Sequence, residues 1–159
     1  MRKLWNRPSL PVWSLVTKGQ NGVVNMNICT YVTSVSMEPK LMLVALYHGT
    51  KTLENARASK AGVLQLLCED LAPVVRVCGQ MSGQDIDKLA RLRKRYKIND
   101  DALLPYFKEA VGYMELAFTS FTETGGDHTL ALASVVRAKN LSDEPILTTD
   151  YLKEHKFTR

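Results

Sequence analysis

The chain has 159 residues and a mass of 17.8 kDa, with 45% hydrophobic and 23% charged residues. These are the proportions of a soluble globular domain and exclude a disordered or collagen-like chain; the length fits one domain of roughly 100–200 residues. The longest apolar run, residues 41–46, is far short of the ~20 a membrane helix needs, and Met1-Arg2-Lys3-Leu4-Trp5-Asn6-Arg7-Pro8 lacks the apolar stretch of a signal peptide, so a cytoplasmic protein is expected. A net charge of +5 favours an anionic partner such as a phosphorylated cofactor, but is too small to argue for nucleic acid.

In chain order, residues 12–17 are rich in β-formers and stop at Lys18-Gly19-Gln20-Asn21-Gly22, whose glycines and asparagine suit a hairpin. A second strand is predicted to start at residues 23–28 and, after an irregular patch, to continue over 31–37 until Glu38-Pro39 stops regular pairing. Residues 41–47 are continuously apolar, which predicts a strand lying between two covered faces. After a turn at 48–51, residues 52–60 have helical composition, with Thr52 as the N-cap and Gly62 as the stop. Residues 63–68 predict another short strand. Residues 71–78 predict a helix in which Pro73 is tolerated near the first turn. From Asp85 the apolar positions Ile86, Leu89, Leu92 and Tyr96 recur at near-helical spacing, with Lys88, Arg91, Arg93, Lys94 and Arg95 between them as a solvated basic face. The chain then returns to strands over 111–121 and 130–136, around the loop 123–128.

Many short strands with few helices between them argue for a mainly β, closed or partly closed antiparallel barrel rather than a βαβ sheet. Three cysteines, Cys29, Cys68 and Cys78, offer neither a disulfide framework nor zinc-ligand spacing and read as small buried residues. No G-x-G-x-x-G or G-x-x-x-x-G-K-[ST] occurs, so neither a Rossmann nor a P-loop nucleotide site is supported.

Several landmarks nevertheless fall in one order: Pro11-Val12-Trp13; Asn25 through Thr30 leading to Ser34-Val35-Ser36 and Pro39; Lys51-Thr52; Ser82-Gly83-Gln84-Asp85-Ile86-Asp87-Lys88; Gly126-Asp127-His128; and Pro145-Ile146-Leu147 followed by Tyr151. Together they resemble the flavin reductase-like family over about residues 11–152. The resemblance implies an FMN-binding split barrel, a six-stranded Greek-key antiparallel barrel with short flanking helices. It also implies a homodimer that holds FMN, or FAD, near the subunit interface, and NADH or NADPH as hydride donor. Asn27-Ile28, Lys40 and Ala133-Ser134 depart from the family's usual residues at those places.

FMN presents a dianionic phosphate, a ribityl chain and a flat ring with an amide-like edge, so its site needs cations, hydrogen-bonding side chains and an apolar wall. Thr52 at a helix start, with Lys51 beside it, suits a phosphate, although an ordinary N-cap explains Thr52 equally. Asn25 and Thr30 are candidates for the ring edge or ribityl chain, or simply for a turn or strand end. Tyr31 lies where the family often places an aromatic beside the flavin; alone it reads as a core residue. Lys88 matches the lysine that follows the family's Ser-Gly turn, where an ammonium stabilises charge on the flavin or its phosphate, against the reading of a solvated charge. His128 is the catalytic candidate, standing over the flavin on the nicotinamide side. Tyr151 is a candidate for cofactor contact from the C-terminal tail. His48 and His155 are assigned no role.

The expected activity is hydride transfer from a nicotinamide nucleotide to flavin, which needs positioning rather than a general base. The reduced flavin is then available to a monooxygenase or another electron acceptor. The rival readings are an electron-transfer FMN protein reduced by a protein partner, and a barrel that has lost flavin.

Overall fold

The computed structural model describes residues 4–158, with the backbone alone for Asn6. Nine strands are named: β1 (Trp13–Lys18), β2 (Val24–Cys29), β3 (Val32–Met37), β4 (Lys40–Tyr47), β5 (Ala61–Leu66), β6 (Ile98–Asn99), β7 (Tyr106–Phe107), β8 (Gly112–Glu123) and β9 (His128–Asn140). The α-helices are α1 (Lys51–Ser59), α2 (Val75–Cys78), α3 (Lys88–Arg93) and α4 (Thr149–Glu154), with a 3-10 turn over Glu69–Val74 leading into α2.

Seven strands form one antiparallel sheet in the order β2-β1-β5-β8-β9-β4-β3. The two end strands, β2 and β3, are successive in the chain and separated only by Thr30 and Tyr31. Taken as one strand bent at that point, they reduce the seven to the expected six and put the same strand at both ends of the row. This is the strand order of the expected split barrel, with the sheet left open between its two end strands. The β3–β4 ladder ends at Val32 and Val44, and the sheet parts there because no ladder joins β2 to β4; Ala45 N–H donates to Tyr31 C=O (2.9 Å) beside the parting.

Side-chain alternation explains why β1 and β5 read as nearly continuous apolar runs. Leu15 and Leu64 point into one cluster with Val44, Leu46 and Leu116, while Val16 and Val63 point into a second with Met26, Leu71, Phe107 and Leu147. The residues 69–78, α3 and α4 cover the second cluster, so both faces of these strands are buried.

The structure corrects several expectations. Strand β4 is covered on one face only: Met42, Val44 and Leu46 are buried, whereas Tyr47 is 54% exposed. Helix α1 is capped by Thr50, whose Oγ1 accepts from Leu53 N–H (3.3 Å), and not by Thr52. It ends at Lys60 in the left-handed conformation, and Gly62 lies within β5. The periodic stretch from Asp85 is helical only over Lys88–Arg93, because the Asp87 carboxylate caps Ala90 N–H (2.9 Å) and fixes the start. Strands β8 and β9 extend further than their apolar residues indicate, and the C-terminal residues form α4 behind the cap Thr148. All three cysteines are free and buried, as expected.

Candidate functional site

A groove begins in the loop between α2 and α3 and runs along β2 to the parting of the sheet. Its first part is a cavity of about 230 Å³ whose walls include Asn25, Asn27, Thr52, Gly83 and Lys88. Its second part, about 280 Å³, is lined by Asn27 through Tyr31, by Ala45 to Tyr47 and by His128. Asn27 lines both, so the two are neighbours along one strand.

The first part is polar, and its Asn25, Thr52 and Lys88 are buried. Thr52 follows the cap of α1, is buried, and accepts from Asn25 Nδ2 (3.0 Å) with its Oγ1. The other amide atom, Asn25 Oδ1, is buried without a hydrogen-bond partner among the described residues. Gly83 passes against it so closely that an added Cβ would lie 2.0 Å from that oxygen, which is why this turn needs a glycine. Lys88, at the start of α3, is only 4% exposed. Its ammonium donates to the Cys78 C=O (2.8 Å). Burial lowers the proton affinity of the amine below the ordinary lysine value, and burial also pushes the Cys78 thiol up to about 12. The residues that carry a buried cation, a hydroxyl and an unpaired amide oxygen therefore line one small cavity. Lys51 stands at its edge, paired with Glu54 (2.6 Å). The solvated-face reading of Lys88 is thus overturned.

The second part is aromatic and open. Tyr31, 45% exposed, and Tyr47 flank the His128 ring, with centroids 5.4 and 5.2 Å away. His128 Nδ1 lies 2.6 Å from the Asp127 carboxylate, and this contact holds the Asp127 carboxyl below its ordinary value. The partially covered Thr30 lies at the bend. On the opposite side of β9, the buried Thr129 donates to Glu123 (3.0 Å), lies 3.1 Å from His48 Nε2 and accepts from Arg57. Glu123 also pairs with Arg57 and with His48 (3.2 Å). His48, assigned no role from sequence, thus helps tie the turn before α1 to the β8–β9 hairpin that carries His128.

Of the predicted residues, Asn25, Thr30, Tyr31, Lys51, Thr52, Lys88 and His128 all line this groove. Tyr151 does not. It sits on α4 against the second core cluster and stacks on His155 with centroids 4.0 Å apart. Sequence reasoning missed Asn27 and Tyr47. The strand period is the signal that would have found Asn27, because it shares a face of β2 with Asn25.

The family model of the flavin reductase like domain matches residues 6–154. The chain belongs to this family. No curated protein matches the sequence. Among solved structures, the NADH:FAD oxidoreductase of Streptomyces globisporus C-1027 superposes with a TM-score of 0.79 at 18% identity, covering 92% of this chain and 85% of its own. The flavin reductase of styrene monooxygenase from Pseudomonas putida gives 0.73 at 20% identity over 88% and 85%. A Sinorhizobium meliloti 1021 protein assigned only provisionally as an oxidoreductase gives 0.79 at 19% identity; 91% of this chain is covered, but it spans just 48% of that longer one. At these identities the superpositions establish the shared fold, and the family match establishes a flavin-related reductase domain. Among the described residues no helix is long and apolar enough to cross a membrane.

Proposed function

We propose that the protein is an NAD(P)H-dependent flavin reductase that holds FMN in the groove, phosphate towards Thr52 and Lys88 and ring towards Tyr31 and His128. The observation that carries this reading is that a buried lysine and the residue with the unpartnered buried Oδ1, Asn25, line one cavity. Buried polar groups are nearly always satisfied, so this arrangement suits a polar ligand that brings both a phosphate and hydroxyl donors. When bound, the flavin supplies the redox chemistry, taking a hydride from the nicotinamide and yielding electrons to an acceptor such as a monooxygenase.

The residues of the chain bind, orient and shield. Lys88 offers its charge to the phosphate, and an anion beside it restores the proton affinity that burial has lowered. Thr52 and the outward N–H groups at the start of α1 add donors. Asn25, Asn27 and Thr30 face the ribityl chain and ring edge along β2. Tyr31 and Tyr47 wall the ring, and His128, oriented by Asp127, positions the nicotinamide on the open side.

The exposed Val35, Met37 and Val136 on β3 and β9, together with the two tyrosines, form the face on which we place a second copy of the chain. The chain's own Tyr151 is outside the groove and would meet cofactor only in the groove of that second copy. Sedimentation should give twice the 17.8 kDa chain mass.

The test of the activity is anaerobic stopped-flow mixing of the FMN-loaded protein with NADH and then NADPH. Bleaching of the flavin absorbance by either one is expected and names the donor. Retained but unbleached flavin would overturn the reductase reading in favour of an electron-transfer protein, and failure to retain or turn over FMN would favour a barrel without flavin.

A further inference from the structure

His128 is the first residue of β9, where the β8–β9 hairpin opens into its turn. No buried apolar side chain anchors this end: residues 122–127 are all exposed, and the first buried apolar residue of β9 is Ala131. A hairpin end of this kind opens readily. The His128 ring nevertheless stands in a defined place between Tyr31 and Tyr47.

Polar contacts grip three successive residues there. The His48 N–H donates to the Asp127 C=O (3.0 Å), the Thr124 hydroxyl donates to the His128 C=O (2.9 Å), and the Thr129 hydroxyl donates to Glu123 (3.0 Å). Side chains alternate along a strand, so Thr129 points away from the groove where His128 points into it. On that hidden side His48 Nε2 lies 3.1 Å from Thr129 Oγ1 and 3.2 Å from Glu123 Oε2, and Arg57 donates to both Glu123 and Thr129. His48 in turn follows Tyr47, the register partner of His128 across β4 and β9.

Glu123 is the hub of this group. It is the only carboxylate among these four side chains, and Thr129, Arg57 and His48 all converge on its two oxygens. The Thr129 hydroxyl first, then Arg57 and His48, hold its carboxyl below the ordinary value, so it remains an acceptor at neutral pH. An exposed ion pair adds little to global stability, so the effect of this one is local. We infer that Glu123 is a positioning residue: through Thr129 and His48 it fixes the His128 ring at the open end of the groove. The consequence for hydride transfer rests on the flavin reading; the clamp itself does not.

Glu123→Gln keeps the shape but replaces one acceptor oxygen by an amide donor that faces His48 or Arg57. The side chain is 57% exposed, so the variant should fold as the parent does. In anaerobic stopped flow of the FMN-loaded protein, the limiting rate of flavin bleaching at saturating nicotinamide should fall about three- to fivefold, with FMN affinity within about twofold of wild type. Added to His128→Ala, the same substitution should change the rate by less than about 1.5-fold, because its effect passes through that ring. Losses that multiply, or a loss of FMN affinity as large as that of rate, mark a merely structural role and overturn the inference. The ring is read without flavin in the nitrogen-15 spectrum of the histidine side chains of the full chain. The His128 signals, identified by their absence from His128→Ala, should shift in Glu123→Gln, and unchanged His128 signals overturn the inference. His48→Ala tests the same clamp if Glu123→Gln fails to fold; it keeps the main-chain bond to Asp127 and should shift those signals less while slowing bleaching about twofold. If neither nicotinamide bleaches the wild-type flavin, the reductase reading fails and the histidine spectrum alone decides on Glu123.

Discussion

The two ends of the groove are built differently. At the polar end Thr52, Asn25 and Lys88 are buried, bonded to one another or to backbone, and brought against the Gly83 turn with no slack. At the aromatic end Tyr31 and Tyr47 remain about half exposed and set their rings against that of His128. Under the proposed function the first end is the anchor for the phosphate, and the second end is where a nicotinamide would enter, with the proposed second copy of the chain covering part of it. Affinity should therefore reside at the polar end and rate at the aromatic one.

The variant expected to break this contrast most strongly is Lys88→Met. Loss of a charged hydrogen bond worth about 1.5–3 kcal/mol should weaken FMN binding by roughly 10–100-fold, read by quenching of flavin fluorescence. Folding should suffer little, because burial already disfavours the ammonium. Between its lowered folded value and the ordinary lysine value of 10.5 the unfolded chain holds more proton, so wild-type stability should rise with pH there. Lys88→Met should remove that rise in alkaline denaturation curves.

Gly83→Ala acts on the same end through packing. Its methyl would meet Asn25 Oδ1 at 2.0 Å, and displacement of the amide should cost about 1–3 kcal/mol of stability in urea unfolding, with FMN affinity lowered about tenfold. At the other end, His128→Ala should slow anaerobic flavin reduction by about tenfold in stopped flow while FMN affinity changes less than about threefold. An equal loss of both would erase the division of labour.

The smallest effect concerns Glu123, whose carboxyl is held below its ordinary value of 4.5 first by the Thr129 hydroxyl and then by Arg57. A depressed carboxylate contributes stability at neutral pH that is lost as pH falls through the folded value. Acid unfolding of Glu123→Gln, followed by circular dichroism, should accordingly show a weaker pH dependence below about pH 4.5 than the wild type.

The strands that carry the groove were legible because β1, β4 and β5 are rich in β-branched and apolar residues, and because the turns between them are marked by glycine and proline. Legible too were the residues of the groove, although Asn25, Thr52 and Lys88 come from separate parts of the chain and only the family resemblance brought them together. Other features were hidden for physical reasons. Nothing local separates Thr50 from Thr52 as a cap; the choice is made by Asn25, which takes Thr52 as a partner. Lys88 is surrounded in sequence by five other cations within nine positions, and only the packing of α3 on β2 distinguishes the buried one. His48 finds Glu123 and Thr129 more than seventy residues away across the sheet, a pairing no spacing announces.

The most direct test of the polar end as anchor is the affinity of the wild-type chain for FMN against riboflavin, which lacks only the phosphate. The account predicts that riboflavin binds at least about 10–100-fold more weakly. Equal affinity for the two would contradict it, because the buried cation and its neighbours would then hold no phosphate at all.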